Sequence, residues 1–331
     1  MRDSEWEDAL ICWVKKGNKV VIYVSVKNSG SRLMDMLNLS RTEPVEGILD
    51  LELNLDTDAL NETVWPKKVL HRELMSEGGI DTVVNDKNDA AVKVLAAVCK
   101  ESSKRDVAVY RSCPEWNGGA VVWLRGTNSN GYYKGSFLLI PDDAIIYFPM
   151  ESLMRLALSE FGYDIRYYKE GPNIKNPVTM IHRSNGAFFF SGYVPDTTVK
   201  MKFRMPLGAP ILIGNETKLD NGHSVYHMPR AWHAECRVFV EQEENSILTC
   251  REICPVSYEM RRRIQIRGLM NATVRIFPQK GYEEKTEVLL NSTYPYFVGQ
   301  KLDWGLKDTP WGKVIETKDV TGQLTVSTNY L

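Results

Sequence analysis

The feature that most constrains the fold is a series of short apolar runs beyond residue 165. Ten such runs are separated by clusters of glycine, proline, asparagine and aspartate, and none shows helical spacing. Many short strands at this spacing are typical of a β-sandwich or a jelly roll. We therefore predict an all-β domain of that type over residues 171–331, with its boundary near Glu170.

The first 170 residues show a different pattern, in which helical and strand periodicities alternate. Helices are predicted over residues 5–16, 31–37, 89–104 and 151–161, and strands near 19–25, 47–56, 106–111, 119–125, 136–140 and 144–148. This order predicts an α/β domain of the flavodoxin or amidotransferase type over residues 1–170. The domain opens on a helix with no strand before it, so we expect it to be incomplete.

Composition and motifs argue against several functional classes. The chain has 41 basic and 42 acidic residues, so its net charge does not attract it to nucleic acid or to an anionic membrane surface. There is no apolar run of about 18 residues, as a membrane span requires, and no signal-peptide pattern at the start. We expect a cytoplasmic protein. The common nucleotide, hydrolase and zinc motifs are missing, so no cofactor is expected.

Three of the five histidines lie close together in the sequence. His223, His227 and His233, with Glu235, are ligand types that hold Zn²⁺ or Fe²⁺ in a jelly roll. His223 and His227 would lie roughly 13 Å apart on one strand, too far to share an ion unless the strand bends. The alternative is that these residues are unrelated surface histidines.

Aromatic residues in loops indicate sugar contacts. A flat ring beside amide and carboxylate groups stacks on a sugar while its neighbours bond the hydroxyls. The candidates are Trp116, Tyr132, Tyr133, Trp232, Trp304 and Trp311, joined by His182 and Arg183 at a polar turn. The alternatives are that the tryptophans cover β-domain cores or form subunit contacts, and that the turn is an ordinary hairpin.

The six cysteines are too few for a disulfide framework. Residues 235–242 and 246–254 predict a hairpin in which Cys236 lies opposite Cys250. We expect two buried thiols side by side there, with a disulfide as the alternative.

The segment from Trp6 to Ser25 resembles the glutamine-amidotransferase-like domain of several bacterial β-galactosidases and sugar phosphorylases. An amphipathic helix ends in Trp-Val-Lys-Lys-Gly-Asn and is followed by the apolar strand Lys-Val-Val-Ile-Tyr-Val. In those families this domain follows the catalytic barrel and precedes a β-domain. The resemblance implies that the catalytic acids lie on an upstream barrel outside this chain. The glycine-flanked cysteine of the amidotransferases has no match, so no site residue carries over.

These patterns together favour an accessory, non-catalytic part of a carbohydrate-active protein, which supplies sugar contacts and an oligomer surface. The expected partner is a carbohydrate, and the chain is expected to be a homo-oligomer or part of a larger parent chain. Two alternatives stay open. One is a stand-alone enzyme, either a hydrolase related to glycoside hydrolases or a metal-dependent jelly roll. The other is a structural assembly subunit.

Overall fold

The computed structural model describes residues 4–23, 25–54, 68–71, 79–125, 150–169, 178–194, 198–253, 261–293 and 298–330. The chain divides into two compact units, Met1–Gly162 and Tyr163–Leu331. Strands predominate in the described residues of both units. Among these residues no helix is both long enough and apolar enough to cross a membrane.

The N-terminal unit combines three helices with eight strands in its described part. The helices are α1 (Ser4–Lys15), α2 (Ser31–Leu37) and α3 (Met150–Glu160). The strands are β1 (Lys19–Tyr23), β2 (Leu39–Val45), β3 (Gly47–Leu53), β4 (Lys68–His71), β5 (Ile80–Val84), β6 (Val92–Lys100), β7 (Ser103–Arg111) and β8 (Ala120–Leu124). Six strands form a sheet in the order β1-β8-β7-β6-β3-β4, and β2 pairs with β5.

The pairing in this sheet differs from a flavodoxin or amidotransferase sheet, in which the strands are parallel. Only β1 and β8 are parallel, and the other four pairs are antiparallel. The segment predicted as a helix over residues 89–104 instead forms β6 and the start of β7. Its run from Leu95 to Val98 is buried throughout. A strand buried on both faces has no periodicity that separates it from a buried helix, so the helix prediction was wrong.

The other predicted elements of this unit are confirmed where the structure describes them. α1, α2 and α3 coincide with the remaining helix predictions, and β3 keeps its alternation, with Leu49 buried and Asp50 and Glu52 exposed. The strands predicted near residues 136–140 and 144–148 lie outside the described residues.

The core of the N-terminal unit lies between the sheet and the first two helices. Val14 of α1 and Leu37 of α2 pack in one cluster with Val109 and Trp123 of the sheet. The ring of Tyr110, next to Val109 in β7, lies 6.5 Å from the ring of Phe161 at the end of α3. Since successive strand residues point to opposite faces, α3 covers the other face of the sheet.

The C-terminal unit contains fourteen strands in its described part, all paired antiparallel. They are β9 (Asp164–Lys169), β10 (Val178–Ser184), β11 (Ala187–Tyr193), β12 (Val199–Arg204), β13 (Ala209–Leu212), β14 (Glu216–Asp220), β15 (His223–Met228), β16 (Ala231–Glu241), β17 (Ile247–Ile253), β18 (Arg261–Ile276), β19 (Thr286–Thr293), β20 (Val298–Lys301), β21 (Gly305–Thr309) and β22 (Gly312–Asn329). This confirms that the second half of the chain is built from β-strands.

Two apolar clusters fill the C-terminal unit. One is rich in aromatic residues, including Phe188, Phe190 and Phe203, and the other is mostly aliphatic. The long strand β18 pairs with β17 through its first half and with β16 through its second half, and shifts in its register with β22 lie between these halves. Such bulges bend a strand, and the buried side chains of β18 on both sides of the bend belong to the aliphatic cluster.

The predicted hairpin that pairs Cys236 with Cys250 is wrong. β18 lies between β16 and β17 in the sheet order, so the two segments do not pair with each other. Both cysteines are free thiols and fully buried. Burial raises the pKa of the Cys236 thiol and raises that of Cys250 to about 12, so both remain protonated and unreactive.

Candidate ligand-binding cleft

A cleft of about 530 Å³ lies in the N-terminal unit beside β3, β5, β6 and β7. Its apolar lining consists of Leu53, Val83, Val84, Val92, Val94 and Ala97, and its polar lining of Glu52, Asn54, Lys87, Lys104 and Asp106. This volume, with an apolar surface and a few polar groups, is typical of a small-molecule site.

The strand register places two carboxylates on either side of this cleft. Ala97 in the middle strand lies opposite Glu52 of β3 and opposite Asp106 of β7. Neighbouring strands are about 4.8 Å apart, so the backbones of Glu52 and Asp106 are separated by roughly 10 Å. The side chain between them is the single methyl group of Ala97, which belongs to the apolar lining of the cleft.

Irregular pairing turns the apolar residues of β6 toward the same cleft. Val94 and Ala97 both line it although they are three residues apart, a spacing that puts side chains on opposite faces of a regular strand. The register between β6 and β7 shifts between Val94 and Ala96 and again between Ala96 and Ala97. Such shifts redirect side chains and are common beside binding sites.

Asp106 is the most buried ionisable residue of the cleft, with 7% of its surface exposed. Its Oδ2 accepts a hydrogen bond from the backbone N–H of Val84 at 2.7 Å, and its backbone oxygen accepts one from the Thr82 hydroxyl at 2.9 Å. Burial raises the pKa of Asp106, and the Val84 hydrogen bond and nearby lysines only partly oppose this. Asp106 is therefore protonated more readily than an ordinary aspartate.

Glu52 has the opposite electrostatic environment. Lys104 Nζ lies 2.6 Å from its Oε2, and the hydrogen bond from this ammonium group, with another from Cys99, lowers the pKa of Glu52. More than half of each side chain of this ion pair is exposed, so it stabilises the fold by only about 0–1 kcal/mol. A ligand can therefore replace either partner at little cost.

The tryptophans that the sequence suggested for sugar contacts lie against the apolar clusters. Trp116 is 6% exposed and Trp232 is 9% exposed, so neither ring has a face free for a sugar. Trp304 is half-buried against the aliphatic cluster of the C-terminal unit. Trp311 is half-buried against the aromatic cluster, with its ring edge-on to Tyr163 at 6.3 Å.

The remaining sugar candidates have different surroundings. Tyr132 and Tyr133 lie outside the described residues. His182 and Arg183 lie near the end of β10, which is followed by the tight turn Asn185-Gly186, in which both residues have positive φ. The Arg183 guanidinium lies 4.7 Å from the centre of the Phe188 ring, while the His182 ring is exposed.

The four residues suggested for a metal site do not converge. Among the described residues no group of three or more histidine, cysteine, aspartate or glutamate side chains is arranged to hold an ion. His223 Nε2 lies 2.8 Å from Asp164, His233 Nδ1 lies 2.7 Å from the Ser191 hydroxyl, and His227 is exposed on β15. Glu235 forms ion pairs with two arginines, Arg237 and Arg262.

The contact between His223 and Asp164 predicts an acid-sensitive point in the C-terminal unit. Burial alone would raise the pKa of Asp164, but hydrogen bonds from His223 and Arg166 outweigh it and hold this pKa well below its ordinary value of 3.8. The ionised Asp164 carboxylate therefore stabilises the folded state fully above pH 3.8, and this contribution is lost as the pH falls toward the pKa of Asp164 in the folded state.

Below about pH 4 we expect the free energy of unfolding of the wild type, measured in urea, to fall more steeply with pH than that of Asp164→Asn, because the variant has no carboxyl group to titrate at this position. Unfolding midpoints measured between about pH 6 and about pH 3 check this. Parallel curves for the two proteins would contradict it.

Sequence reasoning missed Asp106 and treated Glu52 as part of a solvated strand face. One signal was available, because Asp106 is followed directly by the apolar run Val-Ala-Val-Tyr of a predicted strand. A charged residue inside such a strand is a candidate for a functional site. Burying a charge costs free energy, and a function is one reason for a protein to keep a residue that carries this cost.

Comparison with known proteins assigns no family to this chain. No protein-family model matches the sequence, and no curated protein matches it. What the cleft binds is therefore inferred from its own side chains.

Proposed function

We propose that this chain is a ligand-binding part of a carbohydrate-active protein and that its cleft holds a mono- or disaccharide. The observation that supports this is the composition of the cleft, in which charged and amide side chains surround an aliphatic floor. A sugar needs both kinds of surface, because its hydroxyls require donors and acceptors while its C–H groups prefer apolar contact.

Each polar residue of the cleft has a role in this proposal. Glu52 and Asn54 offer acceptor oxygens at the end of β3, and Lys104 offers donors from β7. Lys87 forms no ion pair within the part of the chain that the structure describes, so its three donors are available to a ligand. The cleft volume of about 530 Å³ leaves room for a sugar ring beside the two carboxylates.

Loss of the Glu52 carboxylate should weaken sugar binding. We expect Glu52→Gln to lower the affinity of a bound saccharide by roughly 10- to 100-fold, the cost of one charged hydrogen bond. Ligand-observed NMR with a panel of neutral mono- and disaccharides measures this directly.

The matched control is Glu287→Gln, which alters a comparably exposed ion pair, that between Glu287 and Lys301, far from the cleft in sequence. It should leave binding unchanged. A panel in which no saccharide binds, or in which both variants bind like the wild type, would refute the proposal.

Hydrolysis is a second candidate function for the same cleft. The pKa of Asp106 is raised and that of Glu52 is lowered, which suits a general acid and a general base respectively. Two carboxyl groups that flank a glycosidic bond carry out its hydrolysis in this way. Release of nitrophenol from aryl glycosides by the wild type, and its loss in Asp106→Asn, would establish this activity.

A further inference from the structure

Two imidazoles converge on the exposed face of β10, β11 and β16. His182 of β10 lies opposite Phe189 of β11, and His233 of β16 lies opposite Ser191 of β11. Although a strand separates them, the centres of the two imidazole rings are 6.4 Å apart and their planes differ by 27°. Both rings also lie parallel to Phe189, at 5.2 Å and 5.5 Å, so this side chain supports the pair.

The separation of the rings is close to that of two imidazoles on one ion. A metal–nitrogen bond of about 2.0–2.1 Å places the ion about 3.2 Å from the ring centre, so two rings on one ion have centres about 5.2 Å apart at a tetrahedral angle and at most about 6.4 Å apart when the arrangement is linear. The observed 6.4 Å meets the upper limit. Both side chains are exposed, so they can approach by about 1 Å and rotate until their nitrogen lone pairs meet at a tetrahedral angle.

The hydrogen bonds of the two rings leave nitrogen atoms available. His233 Nδ1 lies 2.7 Å from the Ser191 hydroxyl, and when Nδ1 carries the proton the lone pair of Nε2 is free. A metal-binding histidine usually has an oxygen hydrogen-bonded to its other ring nitrogen, as the Ser191 hydroxyl is here. His182 makes ring contacts but no hydrogen bond within the described ranges, so either of its nitrogens is free to bind.

The nearby carboxylate does not complete a three-residue site. Glu235 follows His233 by two residues and shares its face of β16, but its oxygens accept hydrogen bonds from Arg237 and Arg262. The ion would therefore have two protein ligands, with the other positions left to water or to a ligand from another molecule.

We propose that His182 and His233 form a binding site for one divalent transition-metal ion. The order of affinity for such a nitrogen site is Cu²⁺ above Ni²⁺ and Zn²⁺, and Mg²⁺ and Ca²⁺ do not bind because they require oxygen ligands. This site is separate from the cleft and does not depend on its ligand.

Titration of the full chain with Cu²⁺ tests the proposal. We expect one ion per chain, with two nitrogen ligands in the electron paramagnetic resonance spectrum. His182→Ala and His233→Ala should each lower the affinity at least about tenfold. Ser191→Ala, which removes the hydroxyl bonded to His233 Nδ1, should lower it by about tenfold or more.

The matched control is His227→Ala, which removes an exposed strand histidine that faces neither ring. It should leave Cu²⁺ binding unchanged, and circular dichroism should show that all variants remain folded. The proposal is overturned if the wild type binds no Cu²⁺, if His182→Ala binds it as tightly as the wild type, or if His227→Ala abolishes binding.

Discussion

Replacing Phe190 by alanine should lower the free energy of unfolding of the C-terminal unit by about 3–5 kcal/mol. The Phe190 ring is fully buried in the aromatic cluster and lies edge-on to Phe203, with 5.4 Å between the ring centres. Alanine would remove the apolar contact area, leave a cavity, and abolish an aromatic pair that is worth about 0.5–1.5 kcal/mol beyond its area.

The neighbouring residue is the control for this prediction. Phe189→Ala removes the same number of atoms one position earlier on β11, but the Phe189 side chain lies on the opposite face and is only partly buried. We expect it to cost less than about 1.5 kcal/mol. Urea denaturation of both variants measures the difference. Equal costs would mean that the assignment of the two faces of β11 is wrong.

Removal of the Glu235 carboxylate should have the second largest effect, about 3 kcal/mol or more for Glu235→Ala. Glu235 accepts hydrogen bonds from Arg262 at 2.8 and 2.9 Å and from Arg237, whose side chain is only 6% exposed. Without this carboxylate the Arg237 guanidinium group stays buried with its charge uncompensated. Removing one partner of a buried ion pair is more costly than replacing both partners by apolar residues.

Glu252 offers a matched comparison, because it binds the same arginine from the solvent side. Its oxygen lies 2.9 Å from Arg262 Nη2, but its side chain is 51% exposed. We expect Glu252→Ala to cost only about 0–1 kcal/mol, since water replaces the exposed carboxylate. Chemical denaturation of both variants at the same pH tests this, and a cost for Glu252→Ala as large as that for Glu235→Ala would contradict it.

The two predictions depend on adjacent parts of the same pair of strands. Phe189 and Glu235 lie opposite each other in the β11–β16 pair, and Phe188 lies opposite Cys236. One face of this pair therefore carries polar and partly buried groups, including His233, while the other face closes the aromatic core. This alternation is the ordinary consequence of a period of two in a strand.

Local periodicity was sufficient to predict the elements that have one buried and one solvent-exposed face. α3 carries a continuous apolar stripe, β3 alternates between leucine and acidic residues, and the Asn185-Gly186 turn follows from the residues that tolerate positive φ. The series of short strands in the second half also followed from its turn residues. In each case the information lies within a few neighbouring residues.

Pairings between distant segments decided the rest, and no local pattern contains them. Glu52, Ala97 and Asp106 form one row only because β6 lies between β3 and β7, and a shift in register turns the row toward a cleft. His182 and His233 meet because β10 and β16 both flank β11. Burial on both faces removed the periodicity of β6. β18 lies between β16 and β17, which the short loop that connects them would otherwise pair as a hairpin. Cores and sites therefore arose from long-range packing, whereas the individual helices and strands arose from local sequence.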